Sequence, residues 1–358
     1  MPNDNFTYEK AGVSIDKAKD AHKIIGALIE KTYNFRKGKF GSVVGEYGHY
    51  AGLLDIGNGL CLALHVDGVG TKVLVSQLMD KYDTVGIDLV AMHVNDLICM
   101  GAEPIAMEDY LAVEEANPEL IAEIMRGIVT GAEIAQIAVI GGETATMPDV
   151  IKGEVPGKGY DLSAMSVGVV KQSNIITGEK IQPADIVIGL ESDGIHSNGL
   201  TLARKALLDL GKFSIENTIP GSDITVGEEL LRPTRIYSRE VLEILQKIEV
   251  HGLAHITGGA FSKLDRLSFG QIGFNINKLP DPPHVFKVIQ AITKISDYEM
   301  YRTFNMGIAF CIIAQEANYE EISKICLKYG TKTHRIGEIV PEKGVLITGT
   351  DGKKIRMG

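Results

Sequence analysis

The sequence predicts an α/β protein of two domains, and three observations support this. Its 358 residues are about twice the length of a typical domain of roughly 150 residues. Short apolar runs typical of strands alternate with longer amphipathic segments typical of helices. The alternation pauses once, in a polar stretch with glycine and proline just after Lys171. We therefore expect one domain over residues 1–171 and a second over residues 172–358.

In the predicted first domain an amphipathic helix over residues 15–31 comes first. A glycine-rich stretch over residues 38–59 follows, and we do not expect it to pack as a core element. Asn117 before Pro118 is a typical helix start. The remaining elements are strand 60–66, helix 84–100, strand 105–113, helix 118–134, strand 137–142 and strand 160–170.

The predicted second domain repeats the alternation of strands and helices, which favours a mixed sheet flanked by helices. Its elements are strand 186–192, helices 198–210 and 238–248, strand 272–277, helix 283–295, strand 307–314, helix 319–328 and strands 333–340 and 344–348.

Composition narrows the functional class. The chain is 45% hydrophobic and 23% charged, which is close to the average globular protein and argues against a largely disordered chain. Its net charge of −10, with no basic run, argues against nucleic acid and membrane surfaces as partners. The sequence contains neither a membrane-length apolar run nor a signal-peptide pattern, so we expect a cytoplasmic protein.

Cysteine and histidine patterns argue against a zinc protein. Neither CxxC nor HExxH occurs, and the nine histidines are scattered. We expect four buried thiols, at Cys61, Cys99, Cys311 and Cys326, because their neighbours are apolar.

The densest functional motif is HVDGVGTK, which follows a predicted strand. Asp67 is a candidate magnesium ligand, Gly68 and Gly70 permit close backbone approach, and Lys72 could pair with phosphate oxygens. The spacing does not match a Walker A loop, and Val73 stands where GxGxxG requires glycine. An ordinary strand-to-helix turn is the alternative.

Polar residues interrupt the apolar helix 84–100. Asp88 and Asn95 share one flank, whereas Asp96 points nearly opposite the apolar stripe. Asp96 therefore lies either on a solvated face or in a site built by another chain or domain. The same two alternatives apply to His93.

Three further motifs carry candidate site residues. Glu143 in GGETATMP follows two glycines at a strand end, where open α/β sheets tend to bind ligands. HSNGLTLAR places Ser197 just before a helix, where it could face an anion or act only as an N-cap. His255 in HITGGAF precedes a glycine turn, and alone it is more often structural than catalytic.

Taken in order, these motifs together with LRPTRIY and EMYRTFNMGIAF resemble the phosphoribosylformylglycinamidine cyclo-ligase (AIR synthetase) family over nearly the whole chain. The resemblance implies a PurM-like fold in a homodimer, with N-terminal strands forming a barrel across the dimer interface. It implies ATP-dependent closure of the imidazole ring of 5-aminoimidazole ribonucleotide in purine biosynthesis. The implied cofactors are ATP and Mg²⁺, with K⁺ as a further candidate.

The resemblance also implies roles for individual residues. Magnesium would be held by Asp67, Asp96 and Glu143. ATP and its phosphates would be bound by Gly68, Gly70, Thr71, Lys72, Asn95, Gly141 and Gly142. Catalysis would use His196, His255 and Lys72, and the substrate would contact His196, Ser197, Asn198 and Arg204. The residue types suit phosphorylation of an amide oxygen, which needs carboxylates, a cation, glycine turns and a histidine.

The sequence departs from the family pattern at three places, none of which removes an assigned residue. His49 and Tyr50 occur within the glycine-rich stretch, Ala260 replaces the third glycine of HITGG, and Ala309 stands where glycine is common. Two alternatives stay open: another ATP-dependent enzyme of the same superfamily, or a non-catalytic nucleotide-binding homologue.

Overall fold

Two mixed β-sheets organise the protein, and the predicted two-domain α/β fold is confirmed. The structure, a computed structural model, describes residue 12 and residues 15–268, 270–349 and 351–357. The first sheet has six strands and ends at Lys171, and the second has seven and begins at Ile186. Within the described ranges, every helix is too short or too polar to cross a membrane.

The first sheet has the strand order β1-β2-β3-β6-β4-β5. Only β4 and β5 run parallel, and the other pairs are antiparallel. Its strands are β1 (Ser42–Val44), β2 (Gly52–Asp55), β3 (Leu60–Gly68), β4 (Glu103–Val113), β5 (Ala138–Thr146) and β6 (Tyr160–Lys171).

The glycine-rich stretch corrects one expectation, because it supplies β1 and β2 of this sheet. Tyr50 and Leu53 are only 3% and 4% exposed, so part of the stretch belongs to the core. Six of its seven glycines adopt positive φ, as turns require, and the apolar residues between the turns are free to pair in strands.

Four helices accompany the first sheet: α1 (Ile15–Tyr33), α2 (Lys72–Met79), α3 (Val85–Cys99) and α4 (Pro118–Ala135). As predicted, Asn117 caps α4, and its Oδ1 accepts hydrogen bonds from the amides of Glu119 and Leu120. Helices α3 and α4 pack closely, since a Cβ on Gly86 would lie only 2.2 Å from the Ile128 nitrogen. Every residue of α3 except Ile87 is buried.

The second sheet has the order β13-β12-β9-β11-β7-β10-β8, with β12 and β9 parallel. Its strands are β7 (Ile186–Glu191), β8 (Gly252–His255), β9 (Gly273–Ile276), β10 (Ile308–Ala314), β11 (Thr333–Val340), β12 (Gly344–Thr348) and β13 (Lys354–Met357). The helices are α5 (Leu200–Arg204), α6 (Val226–Leu231), α7 (Ser238–Lys247), α8 (His284–Thr293), α9 (Asp297–Thr303) and α10 (Tyr319–Lys328).

Most predicted elements occur with small changes of boundary. The exceptions are short: α2, α6, α9, β8 and β13 have four to eight residues each, too few to show a period. Predicted helix 198–210 begins instead at Leu200 and continues as a π-helical turn over Lys205–Leu210. All four cysteines are buried free thiols, as expected.

Candidate active site

Helix α3 carries buried polar side chains from the first domain into contact with the second. Asp88 and Asn95 are fully buried, and Asp96 is 6% exposed. Each of the three forms a hydrogen bond with a residue beyond position 190. Of the two alternatives for Asp96, the structure therefore selects a site built by another domain.

Asp96 lies at the centre of a group of carboxylates and histidines. Its Oδ1 is 2.7 Å from Nδ1 of His255 at the end of β8, and its Oδ2 is 3.7 Å from Nε2 of His65 on β3. His65 Nε2 is also 3.9 Å from Oδ2 of Asp67. The two domains thus bring two carboxylates and two imidazoles together.

Electrostatics keep Asp96 ionised. Burial alone raises the pKa of a carboxyl group, but Lys263 and His255 outweigh it and hold the pKa of Asp96 well below its usual range. Burial likewise opposes the charging of His65, but Asp67 and Asp96 prevail and raise the pKa of His65. Asp67 is the more accessible carboxylate, with its side chain 39% exposed.

His93 supports this group from within α3. Its Nδ1 is 2.9 Å from Ser166 Oγ, and its Nε2 is 3.3 Å from the Asp67 carbonyl oxygen. Burial, followed by the nearby His65, lowers the pKa of His93 to about 4. A neutral His93 that donates to the Asp67 carbonyl fixes the end of β3.

The two predicted catalytic histidines are both buried and face the domain junction. Burial lowers the pKa of His255 despite its contact with Asp96, and lowers the pKa of His196 well below its ordinary value. His196 has φ of 66° and its Nε2 lies 3.2 Å from the Asp193 amide nitrogen. Nδ1 of His196 and Nε2 of His255 have no hydrogen-bond partner among the described residues.

Lys72 is not placed as the sequence led us to expect. Its side chain is fully buried, and its Nζ lies 2.8 Å from Asp88 Oδ1 and 2.5 Å from the Arg232 carbonyl oxygen. Both contacts satisfy the ammonium group inside the protein. In this conformation the buried ion pair leaves Lys72 no path to a ligand, and its expected phosphate contact stays a prediction.

Asn95 also departs from its expected role in ATP binding. Its Nδ2 donates to the Arg235 carbonyl oxygen at 2.8 Å, and its Oδ1 accepts from the Tyr237 amide at 2.9 Å. Both ends of the amide are thus used by the backbone of the second domain. Asn95 joins the two domains and is too deeply buried to reach a nucleotide.

Glu143, Gly141 and Gly142 lie inside β5, not in a turn after it. One row of paired residues crosses the sheet from β3 through β6 and β4 to β5, and its members are Asp67, Ala164, Asp109 and Gly142. Glu143 is one residue further along and so points to the other face. Three strand spacings, about 14 Å, separate β3 from β5.

Glu143 therefore does not lie near Asp67 and Asp96 within one chain, and a magnesium site shared by the three carboxylates stays a prediction. The two glycines face side chains of β4 instead of a ligand. A Cβ on Gly142 would lie 2.3 Å from Asp109 Oδ1, and one on Gly141 would lie 3.3 Å from Glu108 Oε1.

The remaining predicted residues line the junction in different ways. Ser197 Oγ lies 3.2 Å from Asp88 Oδ1, and the N-cap position of α5 is Gly199, so Ser197 is not that helix's N-cap. Asn198 faces the glycine turn after β8, since a Cβ on Gly258 would lie 3.1 Å from its Oδ1. Arg204 forms a 2.9 Å ion pair with Glu154 of the first domain. It is thus already paired with a carboxylate where a substrate contact was expected.

The glycine turn after β3 is the most open part of the junction. Gly70 has φ of 67° and is exposed, and nothing lies within 4 Å of a Cβ built on it. Thr71 Oγ1 reaches Thr201 Oγ1 at 2.9 Å across the domains. Gly68 ends β3 itself, where its would-be Cβ lies 3.1 Å from the Leu162 oxygen.

Magnesium can be accommodated by Asp67 and Asp96, although no dedicated cage exists. Among the described residues, no three His, Cys, Asp or Glu side chains form a metal-binding group. Mg²⁺ usually retains waters and uses one or two carboxylates together with phosphates of a substrate. A half-exposed Asp67 beside an ionised Asp96 suits that mode of binding.

Sequence reasoning missed several residues of the junction. His65 could have been found, because it lies two residues before Asp67 on one strand and so shares its face. Tyr50 and Lys263 carried no such signal. They are 213 positions apart, and only folding places the Lys263 ammonium 5.4 Å from the centre of the Tyr50 ring.

Comparison with known proteins identifies the family. Residues 48–170 match the model for the N-terminal domain of AIR synthase related proteins, and residues 182–349 match the model for their C-terminal domain. The chain is 46% identical over 346 residues to a Pyrococcus furiosus phosphoribosylformylglycinamidine cyclo-ligase, covering 95% of this chain and 99% of the relative. The chain belongs to the phosphoribosylformylglycinamidine cyclo-ligase family.

Other members of this family agree. The Methanobrevibacter smithii protein of the same name is 42% identical over 350 residues, covering 98% of this chain and 99% of the relative. The Thermococcus gammatolerans protein is 46% identical, covering 96% and 98%. The family resemblance drawn from the motifs is thereby confirmed.

Solved structures outside the cyclo-ligase family share the fold. A HypE–HypF complex matches with a TM-score of 0.63 at 20% identity, covering 93% of this chain and 99% of the matched chain. A Stenotrophomonas maltophilia thiamine-monophosphate kinase matches with a TM-score of 0.61 at 19% identity, covering 91% and 96%. These likenesses concern the fold alone.

Proposed function

We propose that this protein is an ATP-dependent ligase that converts formylglycinamidine ribonucleotide to 5-aminoimidazole ribonucleotide in purine biosynthesis. The observation that carries the proposal is the near-full-length identity of 42–46% to relatives named phosphoribosylformylglycinamidine cyclo-ligase. The junction between the domains supports it, because it combines carboxylates, buried histidines and an open glycine turn.

The reaction has two steps. The formyl oxygen attacks the γ-phosphorus of ATP, so an O–P bond forms and the bond to ADP breaks. The amidine nitrogen then attacks the activated formyl carbon, loses a proton, and inorganic phosphate leaves as the ring closes. An amide oxygen is a poor leaving group, and its phosphorylation supplies the driving force for closure.

Our assignment of roles follows the geometry of the junction. Mg²⁺, held by Asp67 and Asp96, would neutralise the phosphates of ATP. Gly68 and Gly70 would let the backbone approach the nucleotide, with Thr71 beside them. His255 would accept the proton released by the amidine nitrogen at its Nε2, since its Nδ1 is oriented by Asp96 at 2.7 Å.

The substrate would enter from the second domain. His196, Ser197 and Asn198 lie on the loop before α5, beside the junction. His196 is neutral because of its burial, and its Nε2 accepts from the Asp193 amide. Its Nδ1–H therefore has no acceptor in the described part of the chain and is free to donate a hydrogen bond to the substrate. A K⁺ requirement stays a prediction.

A homodimer is also part of this proposal. The outer face of the first sheet exposes a set of apolar side chains that a second copy would cover. They are Val66, Ile105, Tyr110, Ile140 and Met165, with exposures from 39% to 70%. Glu143 shares this face and would meet the partner. We place the protein in the cytoplasm, where purine precursors are made.

The test follows ADP and the diazo-coupled aminoimidazole product in parallel on purified protein with formylglycinamidine ribonucleotide and MgATP. We expect equal amounts of the two. ADP without aminoimidazole would indicate a different acceptor and contradict the proposed function, as would the absence of both.

A further inference from the structure

Lys263 is a cation at the domain junction that the first domain positions through an aromatic ring. It lies in the 3-10 segment Ala260–Leu267, and its Nζ is 5.4 Å from the ring centre of Tyr50. The Arg266 guanidinium lies 5.7 Å from the same ring. Lys263 Nζ also donates a hydrogen bond to Thr257 Oγ1. The ring and the hydroxyl hold the ammonium in one place.

No carboxylate pairs with this cation in the described part of the chain: none comes within 4 Å of Lys263 Nζ. Lys72, the other lysine of the junction, forms a buried ion pair with Asp88. The difference between Lys72 and Lys263 matters, because a cation withdrawn from water is ordinarily paired with a carboxylate. Lys263 is partly buried, its described hydrogen bond and ring contact are with neutral groups, and Asp96 acts on it only from beyond ion-pair distance.

Unpaired polar atoms lie in the same neighbourhood. Tyr50 Oη, His65 Nε2 and His255 Nε2 are buried without a hydrogen-bond partner among the described residues. His255 and Tyr50 are 0% and 3% exposed. Lys263 is close enough to Asp96 and His255 to alter the pKa of each. Buried polar groups are normally satisfied, so the Tyr50 hydroxyl and the Lys263 ammonium remain able to donate to an anion at this position.

We propose that Lys263 binds a phosphate group, and that this group is the phosphoryl group transferred from ATP. The assignment rests on the proposed function. Lys263 acts electrostatically on Asp96 and Asp67, the proposed magnesium ligands, so the cation and the proposed metal site are neighbours. Phosphoryl transfer is catalysed by such an arrangement, in which a metal and a cation share the charge of the equatorial oxygens.

The two lysines of the junction differ in whether a carboxylate neutralises their charge. Lys72 has the sequence context of a phosphate ligand but its charge is neutralised by Asp88. Lys263 has no such context, yet its charge is available. Lys263 moves no proton in this role and contributes only charge and hydrogen bonds.

The first test measures binding, which does not depend on turnover. Calorimetric titration compares Mg·AMPPNP with Mg·ADP on the wild type and on Lys263→Gln, with the exposed Lys278→Gln as matched control. We expect Lys263→Gln to bind AMPPNP at least tenfold more weakly while ADP affinity is unchanged, because ADP lacks the γ-phosphate. Equal affinities of variant and wild type for AMPPNP, or equal weakening for both nucleotides, would overturn the proposal.

The second test separates the two possible sources of the phosphate. Titration with formylglycinamidine ribonucleotide alone should give the same affinity for wild type and Lys263→Gln. A loss here, with nucleotide binding intact, would assign Lys263 to the 5′-phosphate of the substrate and overturn the assignment to the transferred group. Lys263→Arg, which keeps the charge, should restore part of the AMPPNP affinity. If Lys263→Gln does not fold, Lys263→Met carries the same comparison, because it also removes the charge.

The third test measures the turnover number. We expect the turnover number of Lys263→Gln to fall about 100-fold, the usual effect of removing one group that stabilises transition-state charge. Wild-type protein that forms no aminoimidazole would refute the proposed function, and the nucleotide titrations would then still decide the role of Lys263. An active wild type with an equally active Lys263→Gln would refute the inference alone.

Discussion

Lys72 and Asp88 form a buried ion pair, with Nζ 2.8 Å from Oδ1 and both side chains fully enclosed. Asp88 Oδ1 also accepts hydrogen bonds from the Thr234 amide at 2.7 Å and its hydroxyl at 2.6 Å. The pair therefore links α2 and α3 of the first domain to the segment before α7 in the second. Burial lowers the pKa of Lys72, while Asp88 opposes that shift.

Breaking this pair should destabilise the protein more than it alters nucleotide binding. We expect Lys72→Met to lower the free energy of unfolding by about 3–5 kcal/mol, because it leaves the Asp88 charge buried and unpaired. Urea unfolding measures this, and Lys72→Met combined with Asp88→Leu should recover part of the loss. If Lys72→Met instead kept its stability and bound ATP poorly, the phosphate role predicted from the sequence would be correct after all.

Replacing Asp96 should affect both turnover and stability. An Asp96 on a solvated face, one of the two alternatives from the sequence, would predict little loss of folding in Asp96→Asn, but the carboxylate is buried and bonded to His255. We expect a loss of about 1–3 kcal/mol, typical of disrupting a buried hydrogen bond to a charged group. We also expect turnover to fall sharply and the Mg²⁺ concentration for half-maximal rate to rise. A stable variant with unchanged Mg²⁺ dependence would remove Asp96 from the metal site.

Two substitutions of His255 can separate the roles of its two ring nitrogens. In His255→Asn the amide can take the place of Nδ1 and keep the contact with Asp96, whereas His255→Ala loses both nitrogens. We expect the maximal rate to fall in both variants and thermal stability to fall mainly in His255→Ala, which creates a cavity. Comparing pH–rate profiles with thermal melts measures this. An Asn variant with the wild-type rate and pH profile would leave His255 a structural role only.

Stability should decrease in mild acid because His196 is buried in its neutral form. Burial, with Lys72, His255 and Arg235 nearby, places the folded pKa of His196 below its unfolded value of about 6.5. The unfolded chain therefore binds the proton first, and stability is lost as pH falls below about 6.5.

The control for this pH effect is His196→Asn, since asparagine tolerates the positive φ at this position. Urea unfolding at several pH values between 5 and 7 should show a shallower slope for the variant. The difference is at most about 1.4 kcal/mol per pH unit, the value for one proton. Parallel slopes for the two proteins would mean that His196 is charged in the folded state.

Much of the fold and part of the site follow from local sequence. Helices α3 and α4 are long enough to show a 3.6-residue period, and Asn117 and Pro118 mark the start of α4. β3 ends in HVDG, which places Asp67 at the edge of the sheet. Short elements such as β8 and β13 carried no period and were found only in the structure.

Local sequence also predicts where each side chain lies on its own helix or strand. It does not predict which other element covers that side chain. The helical period shows that Asp96 points away from the apolar stripe of α3. It does not reveal that β8 of the second domain covers that face, because His255 is 159 residues further along the chain. The surroundings of Asn95 and Lys72 were equally hidden, since Asn95 bonds to backbone of the second domain and Lys72 pairs with Asp88 only when α2 packs against α3.

The sequence by itself thus determined the family, the two α/β domains and the residue types available for chemistry. Only the tertiary structure decided which of these groups are free to act. Packing of α2 against α3 neutralises Lys72 with Asp88 inside the first domain. Docking of the two domains engages Asn95 with backbone and leaves Lys263 without a carboxylate within ion-pair distance. The physical reason is that burial and charge pairing depend on what lies opposite a side chain, and residues far apart in sequence supply that surface.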